Sequence, residues 1–424
     1  MTVLSLPVTA MLLWMLAGLA SAGFTRAASG DRPVCLMYLT GQHDVIPSSE
    51  QLIQPITHVA LAFMRTDLFL DPDRNEWPLF RSVESARQAF NQNADIIVAI
   101  GGWGDTGFAT AARNETSRRE FARNVARMVE ATGADGAFVC MRSPKTKPTG
   151  YLGVDIDWEY PGGNGEDYKQ VPNAEKQWEI EAYPLLLGEI RTALGPDKLM
   201  TAAVPGIERD MIAFTPQTVP QIMEHLDFLN VMTYDLMNRR DKVTRHHSST
   251  KASRAALQAY VSRGAPADRL NLGLGFYVKW FRADGEDCAA ARTPVGCRTL
   301  LLEDPVTGGD LGRAGGFSWH DEVPVEVRES FRRALLYHEY DEEEGATYYY
   351  DGEEAIWWTF DGHDSIRKKV AQLAAEMELG GVFAWGLGED APEFTRLDAL
   401  LSVVTPDSVP EVVDGSVEAV KDEL

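Results

Sequence analysis

Two hydrophobic rhythms alternate along this chain. Short runs that are apolar, or that alternate apolar with polar, fall near residues 34–39, 57–64, 96–100, 153–158, 199–204, 226–234, 271–277 and 381–385, and each has the length and period of a strand. Between most of them the apolar residues recur at helical spacing, over 80–93, 117–131, 175–194, 251–263 and 364–378. Strands alternating with helices predict a parallel sheet with crossover helices, and eight such strands suggest a closed (β/α)8 barrel, an α/β fold that runs long as one domain. An open doubly wound sheet is the alternative, but no G-x-G-x-x-G opens a helix after the first strand.

The fourth run stands apart. In Val154-Asp155-Ile156-Asp157-Trp158-Glu159-Tyr160-Pro161 the acids leave one face of the strand, while Val154, Ile156 and Trp158 leave the other. The apolar face must be covered by helices, so the acids look into the interior or a cleft mouth, where a row of carboxylates is expensive unless it has a task. Asp157 and Glu159 lie roughly 7 Å apart along the strand, close enough for each charge to raise the other's pKa and keep one carboxyl protonated near neutrality, as a general acid requires. A plain polar strand edge would also read D-x-D-x-E; the apolar partners and the following Tyr-Pro favour a site.

A barrel gathers its active residues at the carboxyl ends of the strands. Here the third run ends in Ile100-Gly101-Gly102-Trp103, the sixth in Met232-Thr233-Tyr234-Asp235 and the eighth in Ala384-Trp385-Gly386. Glycines admit close backbone approach, flat aromatic faces suit sugar rings, and carboxylates suit a glycosidic oxygen. Each alone has a duller reading, a core Trp or a helix-capping Asp. Together they predict a carbohydrate cleft.

G-V-D-I-D-W-E-Y-P resembles D-G-x-D-x-D-x-E, the catalytic signature of glycoside hydrolase family 18, the chitinases and their relatives, fungal-type enzymes among them. A-I-G-G-W is similar to the family's S-x-G-G on strand three, with Ala99 for the usual Ser; M-T-Y-D is similar to M-x-Y-D on strand six, and V-F-A-W to strand eight with its Trp. The resemblance spans nearly the whole chain after residue 22. It implies a TIM barrel over 30–403, with a small α+β insertion at about 279–355 between strands seven and eight. Tyr348, Tyr349 and Tyr350 either line the cleft there or form a plain strand of the insertion, and the strand is favoured.

The same resemblance implies a chemistry. Glu159 would protonate the glycosidic oxygen and later activate water, while the substrate's own 2-acetamido oxygen attacks the anomeric carbon to give an oxazolinium ion, so no carboxylate nucleophile is needed. Asp157 would orient the acetamido N–H, Asp155 would share a proton or hydrogen bond with Asp157, and Tyr234 would bind the acetamido carbonyl. Asp235 would contact the sugar at the cleavage point and Trp385 would form its floor, with further sugar contacts at Trp103, Gly102, Tyr160, Met232, Tyr38 and Phe63. The expected substrate is the β-1,4-linked N-acetylglucosamine of chitin or chitooligosaccharides, with no cofactor and no metal.

One departure bears on activity. Aligned without gaps, Leu152 stands where the family has its first Asp. Removing the seventeen residues Ala137 to Gly153 joins Ala134-Asp135-Gly136 to Val154 and restores the full signature; the removed piece has three basic residues and no acid in a strongly acidic chain. It reads either as an insertion, such as an unremoved intron, that displaces Asp135, or as a tolerated loop with Leu152 filling the barrel floor.

The net charge of −23 argues against nucleic acid or an anionic membrane as partner. Residues 1–22 read as a secretory signal: Met11 to Leu19 is too short to span a bilayer, and Ala20-Ser21-Ala22 supplies a cleavage site. No later run is apolar enough for membrane insertion. Beyond 404 the pattern fades into an acidic tail, 404–424, ending in Lys421-Asp422-Glu423-Leu424; behind a signal peptide this is an address for the KDEL receptor and the endoplasmic reticulum lumen, with secretion the alternative. Asn114-Glu115-Thr116 is then a possible glycan acceptor, or simply a helix start capped by Thr116 or Ser117. Of four cysteines, Cys288 and Cys297 are placed to close a small loop, and Cys35 in V-C-L-M-Y-L reads as a buried thiol. A monomeric chitinase is the expectation. An endo-β-N-acetylglucosaminidase acting on N-glycans, or a chitin-binding lectin disabled by the 137–153 stretch, are the alternatives.

Overall fold

The computed structural model describes residues 32–91, 94–132 and 152–405. The signal segment, Asp135, the 137–151 stretch, the Leu152 side chain and the tail with its terminal tetrapeptide lie outside the described residues. The strands in chain order are β1 (Val34–Thr40), β2 (His58–Met64), β3 (Asp95–Gly101), β4 (Leu152–Asp157), β5 (Leu199–Pro205), β6 (Phe228–Met232) and β7 (Leu270–Gly275). Five further strands follow, β8 (Tyr277–Arg282), β9 (Ala314–Ser318), β10 (Glu339–Asp341), β11 (Ala346–Asp351) and β12 (Ile356–Phe360), before β13 (Gly381–Trp385). Strands β1 to β7 and β13 pair in parallel in the closed order β1-β13-β7-β6-β5-β4-β3-β2.

Both faces of a barrel strand are buried, so the runs are apolar almost throughout. Cys35, Met37 and Leu39 of β1 point outward into the layer shared with the helices, while Leu36 and Tyr38 point into the barrel beside Ala60, Ile97, Ala99 and Phe383. The helices 83–89, 115–131, 179–194, 250–262 and 363–377 stand where the periodicity placed them, each within a few residues. The helix Thr218–His225, between β5 and β6, was not foreseen, because Pro220 and its short length hide it. Pro220 sits in the first turn, where its missing N–H has no helical acceptor to lose. The helix Glu115–Ala131 starts two residues earlier than read: Asn114, and not Thr116 or Ser117, is the cap, accepting from Ser117 N at 3.0 Å, while Ser117 Oγ accepts from Asn114 N at 3.0 Å.

The run read as 271–277 is two elements. β7 ends at Gly275, and after Phe276 the chain enters β8, the first strand of an antiparallel sheet ordered β10-β11-β12-β8-β9. This sheet covers Tyr277–Phe360, wider at each end than the 279–355 expected. Tyr348, Tyr349 and Tyr350 are a plain strand within it, Tyr348 stacking on Trp357 at 5.0 Å between ring centres. Cys288 and Cys297 form a disulfide here, and burial pushes the free Cys35 thiol up to about 12. A fully buried ammonium clamps the sheet to the barrel: Lys369 Nζ donates to Asp361 at 2.5 Å and to the Ser248 hydroxyl and carbonyl, each at 2.7 Å.

Candidate active site

The alternation of β4 holds. Val154, Ile156 and Trp158 lock its outer face into the helix layer, Trp158 lying flat on Phe108 at 5.5 Å, and this register turns Asp155 and Asp157 into the barrel. The end of β3 makes room for them. Gly101 has φ +109°, and a Cβ there would lie 2.3 Å from the Asp157 carbonyl oxygen, which accepts from Gly102 N at 2.9 Å.

Asp155 is fully buried and receives three donors: the Tyr38 hydroxyl at 2.6 Å on Oδ2, and the Thr201 hydroxyl at 2.6 Å and Asn230 Nδ2 at 3.2 Å on Oδ1. Burial pushes its carboxyl upward and the donors from Thr201, Tyr38 and Asn230 pull it back. Asp157, 3 % exposed, lies well above the carboxylate range, through burial first and then the charges of Glu159 and Asp155; its Oδ1 has no hydrogen-bond partner. Glu159, half-buried at the mouth, is pushed up to about 7. Burial is the leading cause at Glu159, opposed by the hydrogen bond of Tyr160 and followed by the charges of Asp235 and Asp210; the repulsion within the pair read from the sequence is felt at Asp157, which the Glu159 charge lifts after burial.

Tyr234 follows β6 with its ring edge-on to Tyr277 and Phe383; burial, then the charges of Asp157 and Glu159, keep its phenol neutral. Burial would raise the Asp235 carboxyl, but Lys279 and its hydrogen bonds hold it below its usual range. It accepts from Tyr277 Oη at 2.8 Å and from Lys279 Nζ at 3.1 Å, with the buried His247 ring 3.7 Å away. Trp385 lies at the end of β13, its ring on Phe63 at 5.3 Å with only 22° between the planes, and Tyr38 beneath it at 5.6 Å. Trp103 is 46 % exposed at the rim, with Tyr160 edge-on at 6.4 Å. Gly102 abuts the Phe63 ring, which a Cβ would meet at 2.6 Å. Met232 is buried in the barrel interior, and Tyr38, read as a sugar contact, is 1 % exposed beneath the carboxylates with its hydroxyl spent on Asp155. Beside Glu159 and Tyr160 opens a hollow of about 240 Å³ walled by Gly104, Glu166, Lys176 and Trp178.

Five polar residues around these groups were not singled out from the sequence: Thr201, Asn230, Tyr277, Lys279 and His247. Thr201 and Asn230 were within reach of the strand alternation, being polar at inward positions of apolar strands. Tyr277 and Lys279 were hidden because β8 read as the end of the strand before it. Among the described residues no group of His, Cys, Asp and Glu is arranged to hold a metal, and no helix is long and apolar enough to cross a membrane.

A parallel barrel that gathers a carboxyl pushed up to about 7 by burial, two buried acids, a neutral phenol and stacked aromatic rings at its strand ends is built as glycosidases are built. Residues 34–390 match the family model of the glycosyl hydrolases family 18, and the chain belongs to that family. It is 26 % identical to chitotriosidase-1 of Mus musculus over 79 % of this chain and 67 % of that one, and 23 % identical to chitinase B of Serratia marcescens over 86 % and 80 %. It is 24 % identical to probable chitinase 10 of Drosophila melanogaster over 79 % of this chain, but spans only 14 % of that longer protein. Among solved structures, a chitinase of Rhizomucor miehei aligns with TM-score 0.66 at 20 % identity, over 87 % of this chain and 99 % of that one. The second catalytic domain of an Ostrinia furnacalis Group II chitinase aligns at 0.65 and 22 %, over 90 % and 98 %. At these identities the structural likeness is one of fold.

Proposed function

We propose that the chain hydrolyses β-1,4 linkages between N-acetylglucosamine units of chitin or chitooligosaccharides, with retention and with the substrate's acetamido group as nucleophile. The observation that carries this reading is the Glu159 carboxyl, pushed up to about 7 at the mouth of the barrel, above an Asp157 with one carboxyl oxygen unpartnered. Glu159 gives its proton to the glycosidic oxygen as the bond to the anomeric carbon breaks, and the acetamido oxygen closes on that carbon. The unpartnered oxygen of Asp157 accepts the acetamido N–H in this reading and offsets the positive charge of the oxazolinium ion, with the Asp155 anion below it. Tyr234, neutral, donates to the acetamido group, and Trp385 offers the sugar a flat floor over Phe63. Water then adds to the anomeric carbon as the bond from the acetamido oxygen to that carbon breaks and the acetamido group is restored, and it passes its proton to the Glu159 carboxylate.

The test is Glu159→Gln on a chromogenic chitobioside or chitotrioside. Release is expected to fall about 10²- to 10⁴-fold while oligosaccharide binding survives. Equal turnover of a matched glucoside lacking the acetamido group would overturn the mechanism. Cleavage of a high-mannose glycopeptide in preference to the chitooligosaccharides would point to the glycan-trimming alternative, and binding without release in the unaltered chain to a lectin.

A further inference from the structure

Beneath Asp155 lies a chain of amides that the proposed reaction does not yet use. The register of β6 on β7 sets Asn230 beside Asn271, both fully buried. Asn271 Nδ2 donates to Asn230 Oδ1 at 2.9 Å. With its oxygen so occupied, Asn230 turns its Nδ2 the other way, 3.2 Å from Asp155 Oδ1 and 3.3 Å from the Tyr38 hydroxyl oxygen. Tyr38, accepting there, has its own proton free to donate to Asp155 Oδ2. With the Thr201 hydroxyl, every hydrogen bond Asp155 receives is from a donor. The direction of the chain is not arbitrary, since half a turn of the Asn230 amide would press its oxygen on a carboxylate oxygen. Asn271 Oδ1, at the far end, has no partner. A buried acceptor left unpaired asks for a reason, and supplying Asn230 with a donor is one.

We propose that Asn271 is a positioning residue for catalysis, orienting Asn230 so that only donors face Asp155 and the mobile proton of the site is kept on the Asp157–Glu159 pair. The inference rests on the hydrolytic reading above. A carboxylate met only by donors is favoured as the anion. That anion's charge is among the causes that lift Asp157, after burial and Glu159. The titratable groups facing Asp155 are Tyr38 from β1, Asp157 from β4, Tyr234 after β6, and Tyr183 from the helix Glu179–Leu194. None of these is a cation that could replace the donors.

The experiment uses the full chain with Asn271→Leu, Asn230→Leu, the double variant, and Asn271→Thr, which keeps a donor on the strand. With fewer donors, Asp155 takes a proton more readily, its charge no longer lifts Asp157, and the pair releases its proton at lower pH. The alkaline limb of kcat/KM on the chitotrioside is therefore expected to move toward acid by about one pH unit in Asn271→Leu, with KM little changed. Asn271→Thr is expected to restore the limb, and the double variant to match Asn230→Leu alone. An unmoved limb in Asn271→Leu, or additive shifts in the double variant, overturns the proposal. Should the unaltered chain not turn over the substrate, the hydrolytic reading fails by itself. The 13C carboxyl titration of Asp155, assigned with Asp155→Asn, still decides the inference, since identical curves in the unaltered chain and Asn271→Leu refute it. Loss of folding in both Leu variants leaves the decision to Asn271→Thr against Asn271→Ala by the same titration, where equal curves again refute it.

Discussion

Tyr38→Phe is the sharpest probe of how the site holds its charge. The substitution removes one oxygen from a ring that is 1 % exposed and packed between Phe383 and Trp385, so it opens almost no cavity and leaves the stacking intact. What it removes is the 2.6 Å bond to Asp155 Oδ2 and the acceptor for Asn230 Nδ2. A hydrogen bond to a charged group contributes about 1.5–3 kcal/mol, and Asp155 keeps two of its three donors, so the loss should fall near 2 kcal/mol while the carboxyl is ionised. The sign with pH follows from burial, which raises the Asp155 carboxyl above its unfolded value. Ionised Asp155 therefore already weighs against the fold once pH exceeds the folded value, and the penalty vanishes where both states hold the proton. The variant enlarges that penalty. Its deficit should grow as pH rises through the folded value and shrink in acid. Denaturant midpoints of the unaltered chain and the variant, taken across that range with unchanged slope, measure it. A deficit equal at every pH would show that the hydroxyl serves packing alone, and no deficit at all would mean that Asp155 is not the anion argued here.

Three further outcomes are open to measurement. With Glu159 pushed up to about 7 and required as the acid, kcat/KM should fall as pH rises through that value, and a profile flat to well beyond it counts against Glu159 in that role. Lys279→Met removes the ammonium beside Asp235, whose side chain is 47 % exposed; screening limits the stability change to about 1 kcal/mol or less, so the effect should be read in a raised KM on chitooligosaccharides. Cys288→Ala opens a disulfide with a sequence separation of 9, a short loop whose closure contributes about 3 kcal/mol at most, and hydrogen exchange should rise in the segment 284–300 while the barrel strands stay protected.

The barrel was legible because its strands obey one rule, burial on both faces, and its helices another, a single apolar stripe. The acids of β4 broke the first rule, and that breach marked the site before any coordinates. What escaped notice has one physical origin. A lone Thr201 or Asn230 inside an apolar strand carries no local signal of which acid it serves, because the partner lies 46 or 75 residues away in sequence and is brought near only by sheet register. The same holds for Tyr277 and Lys279, which reach Asp235 only because the chain leaves β7 straight into β8. The causes of a raised pKa escaped for a related reason. Spacing along a strand shows which charges are neighbours, but the depth of a barrel mouth is a property of all eight strands together, and at both Asp157 and Glu159 it is burial that leads. The reactive acid is thus set less by the residue two positions before it than by the barrel wall around it. Changes that widen the mouth should lower its pKa even when every carboxylate remains in place.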